Sequence, residues 1–172
     1  IDGDGDGRPG GVGRWTFDTA TISGLAGTGV VGRIFASEPR NGANVPLAGV
    51  TITVDGAEET LRAVTGPDGS FSLNPAPAGR FFVHVDGRTA AGSQWPGGAY
   101  YPFVGKAWES VPGRTNTPVA GGGDVFLPWV PASALQPVRA NEATLITFPA
   151  EVLAARPDLA GVQLEVPPNA LY

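Results

Sequence analysis

The sequence predicts an all-β fold, an antiparallel β-sandwich with Gly/Pro-rich loops and one short helix near residues 150–156. Glycine and proline are frequent, with 26 and 17 of the 172 residues, which is typical of many short strands joined by tight turns. Apolar residues make up 42 % of the chain, and they fall in runs where apolar and polar positions alternate. Such alternation with a period of two indicates half-buried strands.

The strands are predicted in order from residue 29. The stretch "GVVGRIFA" is the first strand, "EPRNGANVP" is a loop, "LAGVTITVDG" is the second strand, and "TLRAVT" is the third. A turn at "GPDG" then leads to "SFSLNP" and "GRFFVHVDG" as the fourth and fifth strands. In the fifth strand, Phe81, Val83 and Val85 share one face, which predicts that they point into the core.

The pattern changes after residue 86, and this change suggests three regions. Residues 1–28 are an acidic, Gly-rich leader or linker with a short strand at "RWTFDTATISGL". Residues 29–128 form the sandwich, with a long aromatic-rich insertion at 87–122 that holds at most one short strand. Residues 129–172 hold further strands and a helix at "PAEVLAARPDL" that Pro157 ends. Because position 1 is not Met and the end is apolar, we expect a piece of a longer polypeptide, cut at the start of another β module.

Two stretches carry a resemblance to a known family. They are "VPLAGVTITVDG", with Pro46 to Val50, and "AVTGPDGSFSLNPAPAGRFFVHV", with its Asp68-Gly69 turn. With "GVVGRIF" before them, they make residues 29–86 similar to the carboxypeptidase regulatory-like domain, a transthyretin-like β-sandwich that is itself similar to the B repeats of bacterial collagen adhesins. The ending "VQLEVPPNAL" resembles the strand and turn that open another type of β-sandwich.

The resemblance implies structural roles for the matching residues. Phe71 and Leu73 would point into the core, and Gly69 would supply a positive φ in the turn. Residues 77–79 would cross from one sheet to the other. The resemblance also implies a non-catalytic module of an exported bacterial protein, since such domains stand beside enzymes or in strings on cell surfaces.

Composition excludes several classes of function. Eleven basic residues against 16 acidic ones give a formal net charge of −5, which argues against nucleic acid and anionic membranes as partners. No apolar run approaches the ~20 residues of a membrane-spanning helix. There is no cysteine, which excludes disulfides and thiolate metal sites. A single histidine, His84, leaves no room for a zinc-peptidase site and little for a catalytic triad.

The first residues, "IDGDGDGRPGG", suggest a metal site. Asp2, Asp4 and Asp6 alternate with glycine, as carboxylates do in the first half of a calcium loop. Position 12 of such a loop would be Gly13, where a bidentate Glu is needed, so the stretch resembles one fragment of a DxDxDG repeat of the thrombospondin type 3 or dockerin-like kind. The candidate cofactor is therefore calcium. The alternative is a solvated acidic linker.

The aromatic insertion suggests a second site. Its candidate ligand-binding residues are Trp95, Tyr100, Tyr101 and Trp108, because exposed rings on a loop suit stacking against a sugar or contact with a partner. The alternative is that the loop folds over the sandwich and buries these rings in a satellite core.

These observations predict a non-catalytic structural or adhesive β-sandwich module of an exported bacterial surface or filament-type protein, located outside the cell or on its surface. The expected partners are neighbouring domains or subunits of the same protein, which would form a homo-oligomer or filament by strand addition at exposed sheet edges. Neither nucleic acid nor membrane insertion is expected. The alternative function is a carbohydrate-binding accessory module that uses the aromatic loop to hold a glycan.

Overall fold

The computed structural model describes residues 5–12, 21–118 and 123–170, and over these ranges it confirms the predicted all-β, sandwich-like fold. Three short 3₁₀ turns and one short α-helix complete it. The strands are β1 (Gly29–Ala36), β2 (Thr51–Val54), β3 (Arg62–Val64), β4 (Ser70–Leu73), β5 (Gly79–Asp86), β6 (Phe103–Ser110), β7 (Thr115–Asn116), β8 (Asp124–Leu127), β9 (Thr144–Thr147) and β10 (Gln163–Val166), and the helix is α1 (Ala150–Ala155). The helix lies where the sequence predicts it.

The first sheet is built around β1. Strand β4 pairs with β1 in antiparallel orientation, while β7 and β8 pair in parallel with successive parts of β1. The parallel pairs differ from the wholly antiparallel sandwich that the sequence predicts. They arise because the chain reaches β7 and β8 by crossing over from the second sheet, and no hairpin connects them to β1.

The second sheet has the order β3-β2-β5-β6 and is antiparallel throughout. Its inner face follows the predicted alternation, since Ile52, Val54, Phe81, Val83 and Val85 are all buried. The outward positions between them are polar or partly exposed. The period of two in the sequence therefore identifies the core face of β2 and β5 correctly.

The core lies between the two sheets. Val30 and Ile34 from β1 and Leu127 from β8 meet the inner face of the second sheet, and all three are fully buried. Phe71 and Leu73 point into this core, as expected from the family resemblance. Residues 74–78 join β4 to β5, whose first residue is Gly79, so the crossing between the sheets expected at residues 77–79 falls at the end of this connection. Together these contacts make one continuous apolar core.

Residues 87–122 contribute more to the sandwich than an insertion would. Strand β6 has eight residues and pairs with β5 along its whole length, from Gly79 opposite Ser110 to Asp86 opposite Phe103. The sequence pattern hides this strand because Gly105 interrupts its outward face while a lysine and a serine stand on its inward face. The aromatic segment is therefore half loop and half edge strand.

Lys106, the only lysine of the chain, lies on the inward face of that edge strand. It stands opposite Val83, whose side chain is fully buried, and residues directly opposite each other in an antiparallel pair share a face. Within the described part of the chain, no strand pairs with the other side of β6. An inward-pointing charge on an edge strand is a common protection against edge-to-edge association.

We expect Lys106→Val to promote self-association, because a second strand could then pair with β6 without burying an ammonium group. Analytical ultracentrifugation would detect a dimer or larger species of the variant at concentrations where the sedimentation of the wild type does not change. Ala107→Val is the matched control, since it adds β propensity on the outward face of the same strand. If both variants associate equally, or neither does, Lys106 does not protect this edge.

The flanking regions differ in how they meet the sandwich. Before β1, the Leu25 N–H donates to the Ala76 carbonyl oxygen at 2.9 Å, and Ile22 packs against the core. Most of the strand predicted at "RWTFDTATISGL" lies outside the described residues. After β8, residues 131–170 form the β9–β10 pair, α1 and connecting loops, and none of these residues is buried.

Candidate functional site

A cleft at the end of the sandwich is the candidate functional site. It has a volume of about 440 Å³ and is lined by residues between 36 and 47, by Ala91 and Gly92, and by the rings of Tyr101 and Trp129. We call it the Tyr101–Trp129 cleft. Its walls come from three segments that are far apart in the sequence, so the fold itself creates the concave surface.

One wall is a short loop that leaves β1 and returns beside it. The Ala36 N–H donates to the Val45 carbonyl oxygen at 2.8 Å, which closes the loop at its base. At its tip, Arg40 and Ala43 exchange both backbone hydrogen bonds across Asn41 and Gly42, whose φ angles are 53° and 76°. Two positive φ values in an Asn-Gly pair are typical of a type I′ turn. The loop thus presents Glu38 and Arg40 at defined positions along the cleft.

Trp129 forms the opposite wall and is held from three sides. Its backbone N–H donates to both carboxylate oxygens of Glu38, at 3.1 and 3.2 Å. The next residue, Val130, exchanges two backbone hydrogen bonds with Tyr100, at 2.8 and 3.0 Å. The ring lies against Tyr101, with 4.8 Å between the ring centroids. Because Trp129 is still 37 % exposed, it offers solvent a positioned aromatic surface.

Tyr101 connects the cleft to the core. Its ring is partly buried against the apolar core, and its backbone N–H donates to the Ser93 hydroxyl at 3.2 Å. Burial raises the pKa of the Tyr101 phenol, the charge of Glu38 raises it further, and Arg40 opposes this. The phenol therefore keeps its proton at neutral pH and can donate a hydrogen bond.

The four aromatic residues proposed from the sequence do not form one surface. Trp95 is 47 % exposed and contacts Tyr100, at 4.7 Å between ring centroids. Tyr101 lies in the cleft with Trp129. Trp108 is 2 % exposed and stacks on Phe71 inside the core, so it cannot contact a ligand on the surface, because its position on β6 turns it inward.

Trp95 and Tyr100 belong to a second aromatic surface, on the outer side of the second sheet. It is a continuous series of contacts: Phe82 to His84, His84 to Phe103, Phe103 to Arg88, Arg88 to Trp95 and Trp95 to Tyr100. We call this series the aromatic face. Arg88 is held there by two hydrogen bonds to Asp86, at 2.7 and 2.9 Å, and its pKa is raised by them.

Glu38, Arg40 and Trp129 were not predicted as site residues. Glu38 and Trp129 are 91 positions apart, and only the fold brings them together. Two local signals were present in the sequence. They are the Asn-Gly pair in "EPRNGANVP", which marks a tight turn, and a tryptophan between two prolines in "LPWVP", directly after a strand.

One group of side chains has the composition of a metal site. Asp55, Glu58 and His84 place one ligand atom each within 4.8 Å of the others. His84 Nε2, however, already lies 2.9 Å from an Asp55 carboxylate oxygen, and Nδ1 is buried with no hydrogen-bond partner among the described residues. A metal on Nε2 would force the ring proton onto Nδ1, where a ligand histidine normally finds an acceptor. The geometry therefore fits a hydrogen-bonded His–Asp pair better than a metal centre.

The aspartates that suggested calcium are described only in part. Asp2 and Asp4 lie outside the described residues. Asp6 is exposed, and its carboxylate accepts a hydrogen bond from the Arg8 backbone N–H at 2.9 Å. That bond is typical of an Asx turn. The calcium site at Asp2, Asp4 and Asp6 stays a prediction.

Three hydroxyl groups of the sandwich, those of Thr65, Ser93 and Ser110, form hydrogen bonds with the backbone. Thr65 donates to the Leu47 carbonyl oxygen and accepts from the Val50 N–H, at 2.6 and 2.9 Å. Ser93 donates to the Gly87 carbonyl oxygen at 2.8 Å, and Ser110 donates to that of Pro77. Each of these hydroxyls connects two segments of the sandwich, so its role here is structural.

Comparisons with protein-family models, with curated proteins and with solved structures find no match for this chain. Among the residues described, no helix has the length and apolar character needed to cross a membrane.

Proposed function

We propose that this chain is a non-catalytic, adhesive β-sandwich module of an exported bacterial surface or filament-type protein, and that it binds its partner through the Tyr101–Trp129 cleft. The cleft is the observation that carries the proposal. It joins a concave shape to an aromatic wall and two charged residues, Glu38 and Arg40, a combination that is typical of ligand-binding sites.

The way in which the reactive side chains are used supports a non-catalytic role. The imidazole of His84 pairs with Asp55 on the outer side of the second sheet, and among the described residues it makes no hydrogen bond to a hydroxyl group. A serine or threonine nucleophile that uses histidine as its base needs its hydroxyl within hydrogen-bond reach of the imidazole. The resemblance of residues 29–86 to the carboxypeptidase regulatory-like domain supports the same reading, because it implies a spacer or binding domain at the cell surface.

The partners we propose include neighbouring domains or subunits of the same protein. Residues 131–170 support this, since Leu145, Val162 and Leu164 are more than half exposed. A two-stranded sheet with exposed apolar side chains is marginally stable alone and gains stability when covered. We propose that a second copy of the chain covers the β9–β10 sheet. The chain would then associate with itself through a surface distinct from the protected edge of β6.

An attachment assay tests the proposed function. Beads coated with the chain are expected to attach to bacterial cells, and Trp129→Ala beads should attach less. Trp95→Ala beads are the control, because Trp95 is an equally large exposed ring outside the cleft. Beads coated with the wild type should also attach to each other. If wild-type beads attach neither to cells nor to each other, the chain is not an adhesive module.

Calcium binding at Asp2, Asp4 and Asp6 is the proposed means of stiffening the joint between this module and a neighbouring domain. We expect isothermal calorimetry to show weak binding, with a Kd in the millimolar range, because three carboxylates reach the lower limit of the 6–8 oxygen ligands of calcium only if each binds through both of its oxygens. Asp4→Ala should abolish the heat, whereas Asp86→Asn, which lies on the sandwich, should not. Absence of any heat at millimolar calcium would contradict a calcium role for the chain itself.

A further inference from the structure

We infer that the ligand of the Tyr101–Trp129 cleft is a neutral glycan, with a pyranose ring packed on Trp129. The inference rests on the proposed binding function and names the class of ligand.

The shape of the cleft favours a small or chain-like ligand. Its volume of about 440 Å³ lies in the range of sites that enclose small molecules, roughly 300–1,000 Å³. A protein partner would need a broader contact, of about 800 Å² on each side. A sugar unit of a longer glycan can enter such a cleft while the rest of the chain continues across the surface.

The aromatic wall matches one side of a sugar ring. A pyranose has a face of C–H groups, and these groups pack favourably on the electron-rich face of an indole. Trp129 keeps 37 % of its surface exposed while Glu38 fixes its backbone and Tyr101 its ring. Because the ring is already positioned, little conformational entropy is lost on binding.

The polar groups match the rim of a sugar ring. Hydroxyl groups both donate and accept hydrogen bonds, and the cleft offers both functions. The carboxylate of Glu38 accepts, and the guanidinium of Arg40 donates. Tyr101 keeps its phenol proton, since burial raises its pKa. Adjacent hydroxyls on one ring could therefore be satisfied by groups of opposite character on the same wall.

The charges of the cleft favour a neutral ligand. Glu38 and Arg40 both line it, and their formal charges sum to zero. An anionic ligand would be attracted by the Arg40 guanidinium but repelled by the Glu38 carboxylate, and a cationic ligand the reverse, so neither gains a net attraction from the two formal charges that would offset its desolvation. A neutral polyhydroxylated ligand meets neither penalty, which separates it from phosphorylated or strongly basic ligands.

Calorimetry with defined oligosaccharides tests the inference. The probes are cello-, xylo-, malto- and chito-oligosaccharides, added one at a time to the full chain. At least one should bind, and Trp129→Ala should weaken that binding by about tenfold or more, the equivalent of roughly 1.4 kcal/mol. Trp95→Ala should leave the affinity within about twofold of wild type. Arg40→Gln, at an exposed site, is a second cleft variant that should also weaken binding. It keeps the inference testable if Trp129→Ala does not fold.

The outcomes separate this inference from the proposed function. If none of the four probes binds, or if Trp95→Ala weakens binding as much as the cleft variants do, the glycan assignment is wrong. Bead attachment that persists in that case, still sensitive to Trp129→Ala, leaves the adhesive function standing with another ligand. Oligosaccharide binding without any bead attachment supports the glycan site and rejects the adhesive role.

Discussion

Replacing Trp108 with alanine is expected to lower the free energy of unfolding by about 4 kcal/mol, as truncations of large buried aromatics do. Trp108 stacks on Phe71 at 5.5 Å between ring centroids and meets the edge of Phe81 at 6.3 Å. Phe71 belongs to the first sheet and Phe81 to the second, so the indole joins the two layers. Its loss would leave a cavity between the sheets, and urea denaturation would measure the cost.

Two controls sharpen the Trp108 prediction. Trp108→Phe should cost much less, because the ring stays while the indole N–H is removed, and that N–H is buried without a hydrogen-bond partner among the described residues. An unpaired buried donor costs about 1–3 kcal/mol, so its removal offsets part of the lost volume. Trp95→Ala, on the surface, should change stability by less than about 1 kcal/mol. Equal losses for Trp108→Ala and Trp95→Ala would contradict the position of β6.

Gly69→Ala is expected to lower the free energy of unfolding by about 3 kcal/mol, from left-handed strain and steric overlap together. Gly69 has a φ of 74°, and a Cβ there would lie 2.5 Å from the Ile34 carbonyl oxygen. That oxygen cannot move away easily, because it accepts the Leu47 N–H at 2.9 Å. The loss corresponds to a melting temperature lower by about 10 °C, which differential scanning calorimetry would measure.

The hydrogen bonds of the turn around Gly69 explain why this position does not tolerate a side chain. Gly69 donates to the Gly66 carbonyl oxygen at 2.9 Å, and its own carbonyl oxygen accepts the Ile34 N–H at 2.9 Å. Asp68 accepts from the Ser70 hydroxyl at 2.6 Å and from the Ser70 N–H at 3.1 Å, and these bonds lower the pKa of Asp68. A new methyl group would disturb bonds on both sides of the turn.

Gly113→Ala separates the two causes. Gly113 has a φ of 73°, but a Cβ there would have no heavy atom within 4 Å. Only the left-handed strain applies, which costs about 1–2 kcal/mol. If Gly113→Ala and Gly69→Ala prove equally destabilising, the close approach of the turn to Ile34 does not contribute.

The orientation of β4 and β5 could be predicted from sequence because the alternation of apolar and polar residues in these strands follows their burial. In β5, Phe81, Val83 and Val85 are buried and the residues between them are not. In β4 the same holds for Phe71 and Leu73. Each of these strands has one face in the core, and a shift by one residue would expose all its apolar side chains. The period of two alone therefore predicts which face of each strand points into the core.

Strand β6 and the parallel pairings could not be predicted in the same way. The inward face of β6 includes Lys106 and Ser110 beside Trp108, since an edge strand benefits from a charge that a central strand could not accommodate. Its apolar alternation is correspondingly weak. The pairing of β7 and β8 with β1 depends on crossovers between sheets, which leave no local signature in the sequence.

The candidate site could be predicted from sequence only in part, because most of it also lacks a local sequence signature. Tyr101 stood out as one ring of an aromatic segment, but its partner Trp129 lies 28 positions away by sequence number, in a region assigned to another module. Glu38 lies in a loop and has no sequence pattern of its own, because its carboxylate reaches the Trp129 backbone N–H only in the folded chain. Sites made by contacts between distant segments depend on the fold, whereas motifs within one segment can be read directly.

We propose that this sandwich binds its ligand in the Tyr101–Trp129 cleft. The most direct test is to follow the backbone amide resonances of the isotope-labelled chain while the oligosaccharide probes are added. We expect shifts that concentrate on residues 36–47, on Ala91 and Gly92, and on Tyr101 and Trp129, with little change at Phe82 or Trp95. Shifts centred on the aromatic face around Phe82, Phe103 and Trp95, or no shifts with any probe, would contradict it.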